Sequence, residues 1–251
     1  LDDDPAFAEI RDLARAGNGT VVEAASAMHP LVVAELAAHR GTGSPVVVVT
    51  ATGREAEDLA TALPGLLPHA RVAVFPSWET LPHERLSPSS DTVGRRVAVM
   101  HRLAHPDPAN PLGQAIDVLV TSVRAFLQPV VRGIGDVAPV RLSVGDEIPL
   151  HDLVGRLVDL GYERNDLVER RGQLAVRGGI LDVFPPTEEH ALRVEFWGDA
   201  VEEIRTFSVA DQRSLELADD GLWAPAVREL LLTPQVRERA AELARQGPHV
   251  A

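Results

Sequence analysis

Four consecutive valines, Val46 to Val49, constrain the fold more than any other stretch of this 251-residue chain. Successive strand residues point to opposite faces, so an unbroken apolar run asks for cover on both sides, as inside a parallel sheet. Helical spacing surrounds it. Leu31, Val32, Leu36 and Ala37 form one apolar stripe ending near Gly41, and Thr52, Gly53 and Arg54 lead into a helix carrying Leu59 and Leu63. Upstream, Asp2 to Asp4 and Pro5 open a helix with Phe7, Ile10, Leu13 and Ala14 on one face, stopping at Gly17. A short strand is expected over Thr20 to Ala25. Downstream, Arg71 to Phe75 reads as a strand, Pro76 to Ser90 as a Pro/Ser-rich loop, Val93 to Leu103 as a helix and Ile116 to Ser122 as a further buried strand. This alternation predicts an α/β unit, a parallel sheet with helices on both faces.

Past Gln128 the pattern changes. Gly133, Gly135, Pro139 and Gly145 punctuate a stretch with little periodicity, which marks a boundary. Leu150 to Leu160 is then helical, and Leu174 to Val176, Ile180 to Phe184, Leu192 to Trp197 and Val201 to Phe207 are short strands. Leu192, Val194 and Phe196 alternate with Arg193, Glu195 and Trp197, and Gly198-Asp199 supplies a tight hairpin turn. The expectation is a small α+β unit, an antiparallel sheet with one solvated face. Val227 to Leu232 reads as a last buried strand, after which Thr233 can cap a helix that starts at Pro234 and runs to Arg245.

Composition narrows the function. The 24 basic residues are all arginine, against 37 acidic ones, for a formal charge of −13. The absence of lysine fits a GC-rich bacterial genome, and a field of this sign repels nucleic-acid phosphates. Cysteine is absent, which removes disulfides, thiolate metal sites and cysteine nucleophiles. No apolar run of membrane-spanning length and no signal peptide are visible, so a cytoplasmic protein without membrane partners is expected.

Three stretches carry a family resemblance. The first is Val74-Phe75-Pro76-Ser77-Trp78-Glu79-Thr80-Leu81-Pro82, continuing to Ser87-Pro88-Ser89-Ser90-Asp91 and Arg95-Arg96. The second is Ile116-Asp117-Val118-Leu119-Val120-Thr121-Ser122. The third is Tyr162-Glu163-Arg164-Asn165-Asp166, Arg171-Gly172, Val176-Arg177-Gly178-Gly179-Ile180-Leu181-Asp182-Val183-Phe184-Pro185 and Arg193-Val194-Glu195-Phe196-Trp197-Gly198-Asp199. Together they resemble the amino-terminal, UvrB-like region of bacterial transcription-repair coupling factors, with an actinobacterial source implied. The resemblance implies a helicase-like domain 1a over residues 1–138, a UvrA-docking domain 2 over 139–214, and the start of a domain 1b over 215–251. It further implies a parent that displaces stalled RNA polymerase at DNA lesions and hands the site to excision repair. The contacts with polymerase and DNA, and the use of ATP and Mg, then belong to motor domains outside this chain.

A phosphate-binding loop needs glycines and a terminal Lys-Ser or Lys-Thr between strand and helix, so that backbone amides cradle phosphate. The corresponding place reads Glu23-Ala24-Ala25-Ser26-Ala27-Met28, with no glycine and no lysine. Gly41-Thr42-Gly43-Ser44-Pro45 precedes a strand and is read as a turn. No cofactor and no enzyme activity are therefore expected of this chain. Gly94-Arg95-Arg96 could hold an anion at a helix start.

Arg164, Arg170, Arg171 and Arg177 fall within fourteen positions, a local basic concentration in an acidic chain. Arginine's planar fork suits carboxylates and is enriched at interface hot spots, while solvated strand ends with internal pairs are the bland reading. The resemblance favours contact for Arg164 and Arg177, which share the spacing of two UvrA-contacting arginines of UvrB. A third such arginine falls on Ala175, leaving Arg171, Arg193 and Arg205 as weaker candidates. Trp197 is the candidate apolar anchor and Phe184 the expected core residue. Trp78, Glu84 and Arg85 sit on the Pro76 to Ser90 loop, where one aromatic gives bases little to stack on. His101 and His105, four apart on a helix, lack a third metal ligand. Two rival functions remain: a UvrB-type helicase fragment or other nucleotide-binding enzyme, and an autoinhibitory clamp that holds the carboxy-terminal domains of the parent.

Overall fold

A computed structural model of the chain describes residues 4–17, 19–41, 43–81, 84, 86–232 and 234–247. They fall into two compact units, Leu1–Leu81 with Arg102–Val130, and Pro82–His101 with Val131–Ala251. The limits drawn from sequence at 139 and 215 thus lie inside the second unit.

The first unit begins with α1, Pro5–Arg15, whose N-cap Asp4 accepts a hydrogen bond from the Ala6 N–H at 2.9 Å. Next come α2 (His29–Ala38), β1 (Val46–Thr50), α3 (Gly53–Leu66) and β2 (Val72–Phe75). Thr52 caps α3 by accepting from Glu55 N at 3.2 Å, and the Glu55 carboxylate accepts from the N–H of Ala51, one residue before the cap, at 3.2 Å. Helix α4 (Ser90–Ala104) belongs to the second unit through His101, after which β3 (Val118–Ser122) and α5 (Val123–Leu127) complete the first. The sheet order is β1-β3-β2, all parallel, with Val120 aligned to Val48 on one side and Val74 on the other. Central β3 is buried throughout. Helices α2 and α3 bury Val33, Ala37, Leu59 and Leu63 against Val118 and Val120.

Two expectations fail here. The residues from Thr20 to Ala25 form no strand, and Val21 is 90 % exposed. Two valines followed by Glu23 and two alanines offer too little apolar area to offset the cost of ordering a strand. The valine run does form β1, but at the edge of the sheet. Val47 and Val49 are nearly half exposed, so only one face of the run is covered.

Asp117, at the entry to β3, is buried and gathers two arginines. Its carboxylate accepts from Arg71 N, Nε and Nη2 at 2.7, 2.8 and 2.9 Å, and from Arg40. The Arg71 hydrogen bond holds the Asp117 carboxyl below the usual carboxylate range, against the opposing effect of burial.

The second unit contains β4 (Val140–Leu142), α6 (Leu150–Asp159), β5 (Glu163–Arg164), β6 (Gln173–Arg177), β7 (Ile180–Val183), β8 (Ala191–Trp197), β9 (Ala200–Phe207), β10 (Ser214–Leu217), β11 (Leu222–Ala224) and α7 (Pro234–Gln246). Six strands run in the order β10-β9-β8-β7-β6-β5, antiparallel except for the β5–β6 pair, and β11 pairs with β4. Leu174, Leu181, Leu192, Val194 and Ile204 share one core with Leu153 and Leu157 of α6 and Val93 and Val97 of α4. That packing is why part of α4 joins this unit.

The opposite face of the sheet is solvated only in part. Val168, Ala175, Phe184, Ala191 and Phe207 form a second small core, with Phe184 7 % exposed as its alternation predicts. Val227 to Leu232 is no strand. The Val227 N–H bonds the Leu160 carbonyl at the end of α6, Leu230 and Leu232 are exposed, and the strand of this region is β11, before Pro225. Gly94 lies inside α4 rather than at its start. A Cβ there would stand 2.1 Å from Pro186 Cγ, so close packing requires this glycine, and the neighbouring Arg96 is buried against Glu229 at 2.7 Å. Asp2, Thr42, Arg85 and Thr233 lie outside the described residues.

Candidate functional site

The arginines singled out from the sequence sit on or beside the six-stranded sheet, but in different environments. Arg164 is exposed on edge strand β5 and makes no ion pair or side-chain hydrogen bond among the described residues. Its neighbours are internally engaged. Glu163 takes Arg228 at 2.8 Å and Arg170 at 3.5 Å. Arg171 donates from Nε and Nη2 to the Glu188 carbonyl at 3.1 and 2.7 Å, stands 3.4 Å from Asp91, and lies over the Phe184 ring at 4.8 Å.

Arg177, Arg193 and Arg205 lie on one face by register. Asp182 on β7 faces Ala175 on β6 and Arg193 on β8, and Arg193 faces Arg205 on β9. Asp182 is 1 % exposed. Its Oδ1 accepts from Arg193 Nε at 2.7 Å, and its Oδ2 accepts from Arg193 Nη2 at 2.9 Å and Arg177 Nη2 at 2.7 Å. The Arg193 side chain is 12 % exposed, and its guanidinium lies 4.8 Å over the Phe207 ring, so it faces inward rather than outward. Hydrogen bonding to Asp182 raises its pKa further. Arg177 keeps 47 % of its side chain in solvent, and Arg205 pairs with Glu203.

Arg164 aligns with Leu174 on β6, three residues before Arg177, which puts the two arginines on opposite sides of the pleat. They share the sheet rim instead of a face. Strand β5 covers only Gln173 and Leu174, and the outer edge of β6 beyond them carries no strand among the described residues. The β8–β9 hairpin turns through Gly198, at φ +62, and leaves Trp197 76 % exposed. The Phe196 N–H donates to the Gly179 carbonyl at 2.9 Å, joining the β6–β7 and β8–β9 tips, so Trp197 and Arg177 occupy the same end of the sheet.

Asp182 is the residue that sequence reading missed. Its signal was present: a carboxylate in the middle of the apolar strand Ile180 to Phe184 must find partners or leave the core.

At the degenerate loop, Glu23, Ala24 and Ala25 precede a single 3-10 turn, Ser26–Met28, and α2 then begins with His29 and Pro30. Pro30 has no N–H to offer in the first helical turn. A cavity of about 920 Å³ lies here, lined by Ala24, Ser26, His29, Val33 and Val48 and by the acids Glu55 and Asp58, with no arginine among its described walls. Two acids against a single histidine, with a missing amide and no glycine cradle, do not suit a triphosphate.

Elsewhere, His101 is buried with Nδ1 2.9 Å from the Gly135 carbonyl. Among the described residues no His/Asp/Glu cluster could hold a metal ion, and no helix is long and apolar enough to cross a membrane. Trp78 is half-buried, and its backbone N–H donates to Gln128 Oε1 at 2.8 Å.

Residues 140–227, which carry the whole arginine arrangement, match the family model described as the UvrB interaction domain. The match, within a mixed α/β fold, identifies a UvrB-like interaction module. The transcription-repair-coupling factor of Mycobacterium tuberculosis is 56% identical over 230 residues, covering 91% of this chain and 18% of that protein. That of Bacillus subtilis is 32% identical over 203 residues, 80% of this chain and 16% of that protein. The UvrABC system protein B of Streptomyces avermitilis is 31% identical over 207 residues, 78% of this chain and 28% of that protein. The chain belongs to the transcription-repair-coupling factor family, and it spans less than a fifth of the length of those two coupling factors.

Proposed function

We propose that this chain is the UvrA-docking module of a transcription-repair coupling factor, acting as an adaptor with no nucleotide chemistry of its own. The observation that carries this reading is the pair of accessible guanidiniums, exposed Arg164, which has no ion pair among the described residues, and half-exposed Arg177, on the rim of the matched domain in a chain of charge −13. Carboxylates on the partner meet these forks. Arg171 and Arg205, already bonded internally, lie at the periphery, Arg193 supports from within, and Trp197 supplies an apolar anchor. In the parent, recruitment of UvrA follows displacement of RNA polymerase by ATP-driven, Mg-dependent domains beyond this chain. The loop beside Ser26, without glycine or lysine and facing Glu55 and Asp58, supports the absence of ATP hydrolysis here. A pull-down decides the partner: immobilised chain retains UvrA from a purified mixture and loses it as salt rises. Failure to retain UvrA at low salt refutes the docking role.

A further inference from the structure

Three charged groups on one face of the second unit's sheet have an arrangement that simple solvation does not require. Asp182 is buried, and both of its oxygens are taken by Arg193 in a parallel fork of 2.7 and 2.9 Å. That pair neutralises itself, and a fork of this geometry satisfies a buried carboxylate well. Arg177 is nevertheless added to the same carboxylate, with Nη2 2.7 Å from Oδ2. Two guanidiniums thus share one buried carboxylate, and Arg177 is the more exposed of the two. Among the described residues only one of its nitrogens is used, and 47 % of the side chain remains in solvent.

We infer that Asp182 and Arg193 form a clamp that pins one tine of the Arg177 guanidinium and leaves the remaining N–H donors, in fixed orientation, for a carboxylate of the docking partner. This rests on the docking reading above, and it assigns Arg193 and Asp182 as positioning residues, not contacts. A free arginine loses rotamer entropy when a partner immobilises it, and an arginine already held loses less. Arg193 has a second task. Without it, Asp182 would be a whole buried anion beside Arg177 and would draw the guanidinium inward as an ordinary ion pair. The stacking of Arg193 on Phe207 and its donation from Nη1 to the Gln212 carbonyl at 3.3 Å hold the clamp in register.

The test is a double-mutant cycle on UvrA binding by the 251-residue chain, read by calorimetry. Arg177→Ala is expected to weaken binding about thirtyfold and Asp182→Asn about tenfold. The double variant should bind no more weakly than Arg177→Ala alone, because the clamp acts only through that arginine. Factors that multiply in the double variant overturn the inference, since Asp182 would then act on the domain at large. Wild-type affinity in Asp182→Asn overturns it too. If Asp182→Asn does not fold, Arg177→Lys decides, because it leaves the Asp182–Arg193 fork untouched. A lysine pinned by Asp182 has no second tine to offer and should bind about as weakly as alanine, whereas wild-type affinity shows that charge alone suffices. Wild-type affinity in Arg177→Ala removes the contact itself, and the docking assignment fails before the clamp is reached.

Discussion

Replacing Asp117 by asparagine tests how the first unit is held together. Four hydrogen bonds converge on that carboxylate, three from Arg71 and one from Arg40. An amide keeps one acceptor for the Arg71 backbone N–H, but it turns an NH2 toward guanidinium donors and leaves two cations without their anion. Breaking a buried pair costs about 3–5 kcal/mol. The Arg71 and Arg40 side chains are 40% and 30% exposed and can regain water, so the lower end, about 3 kcal/mol, is expected. For a unit of this size that is a fall of at least about 10 °C in melting temperature at neutral pH. The pH dependence has a fixed sign. The folded Asp117 carboxyl titrates below its unfolded value of about 3.9, so its contribution is complete above that pH and is lost as pH falls through the folded value. The gap between wild type and Asp117→Asn must therefore narrow in acid. Thermal unfolding followed by far-ultraviolet circular dichroism at neutral and acid pH measures it. A shift below about 2 °C at neutral pH, or a gap that widens in acid, refutes the assignment of Asp117 as an anchor.

Gly94→Ala should destabilise the second unit. Helix propensity gains about 1 kcal/mol, but a methyl 2.1 Å from the rigid Pro186 ring overpacks by about 1–3 kcal/mol, and a urea midpoint at or above wild type contradicts the close-packing role. Trp197→Ala should leave the melting temperature unchanged, because the ring is 76 % exposed, while weakening UvrA binding about fivefold; equal binding removes Trp197 as an anchor.

Elements with strong local period were legible in the sequence. The stripe of α6, the alternation of β8 and the capping signals at Asp4 and Thr52 each specify structure through nearby residues alone. What was not legible depended on neighbours far along the chain. Whether Val47 and Val49 are covered is decided by β1 being an edge strand, which its own residues do not encode. The 20–25 segment opens with two valines but pairs with no strand among the described residues. Val227 to Leu232 is apolar enough for a strand, yet its backbone is committed to the end of α6. Among the arginines, the family resemblance singled out Arg164 and Arg177, but nothing in the sequence separated exposed Arg177 from inward-facing Arg193. That distinction rests on Asp182, eleven residues from one and five from the other, brought between them by sheet register.

The central claim is that cationic forks on the rim of this sheet meet acidic groups of UvrA. Calorimetric titration of UvrA with the wild-type chain and with Arg164→Ala and Arg177→Ala tests it most directly. Each substitution is expected to cost about 2 kcal/mol, close to thirtyfold in Kd. Wild-type affinity in both variants would contradict it.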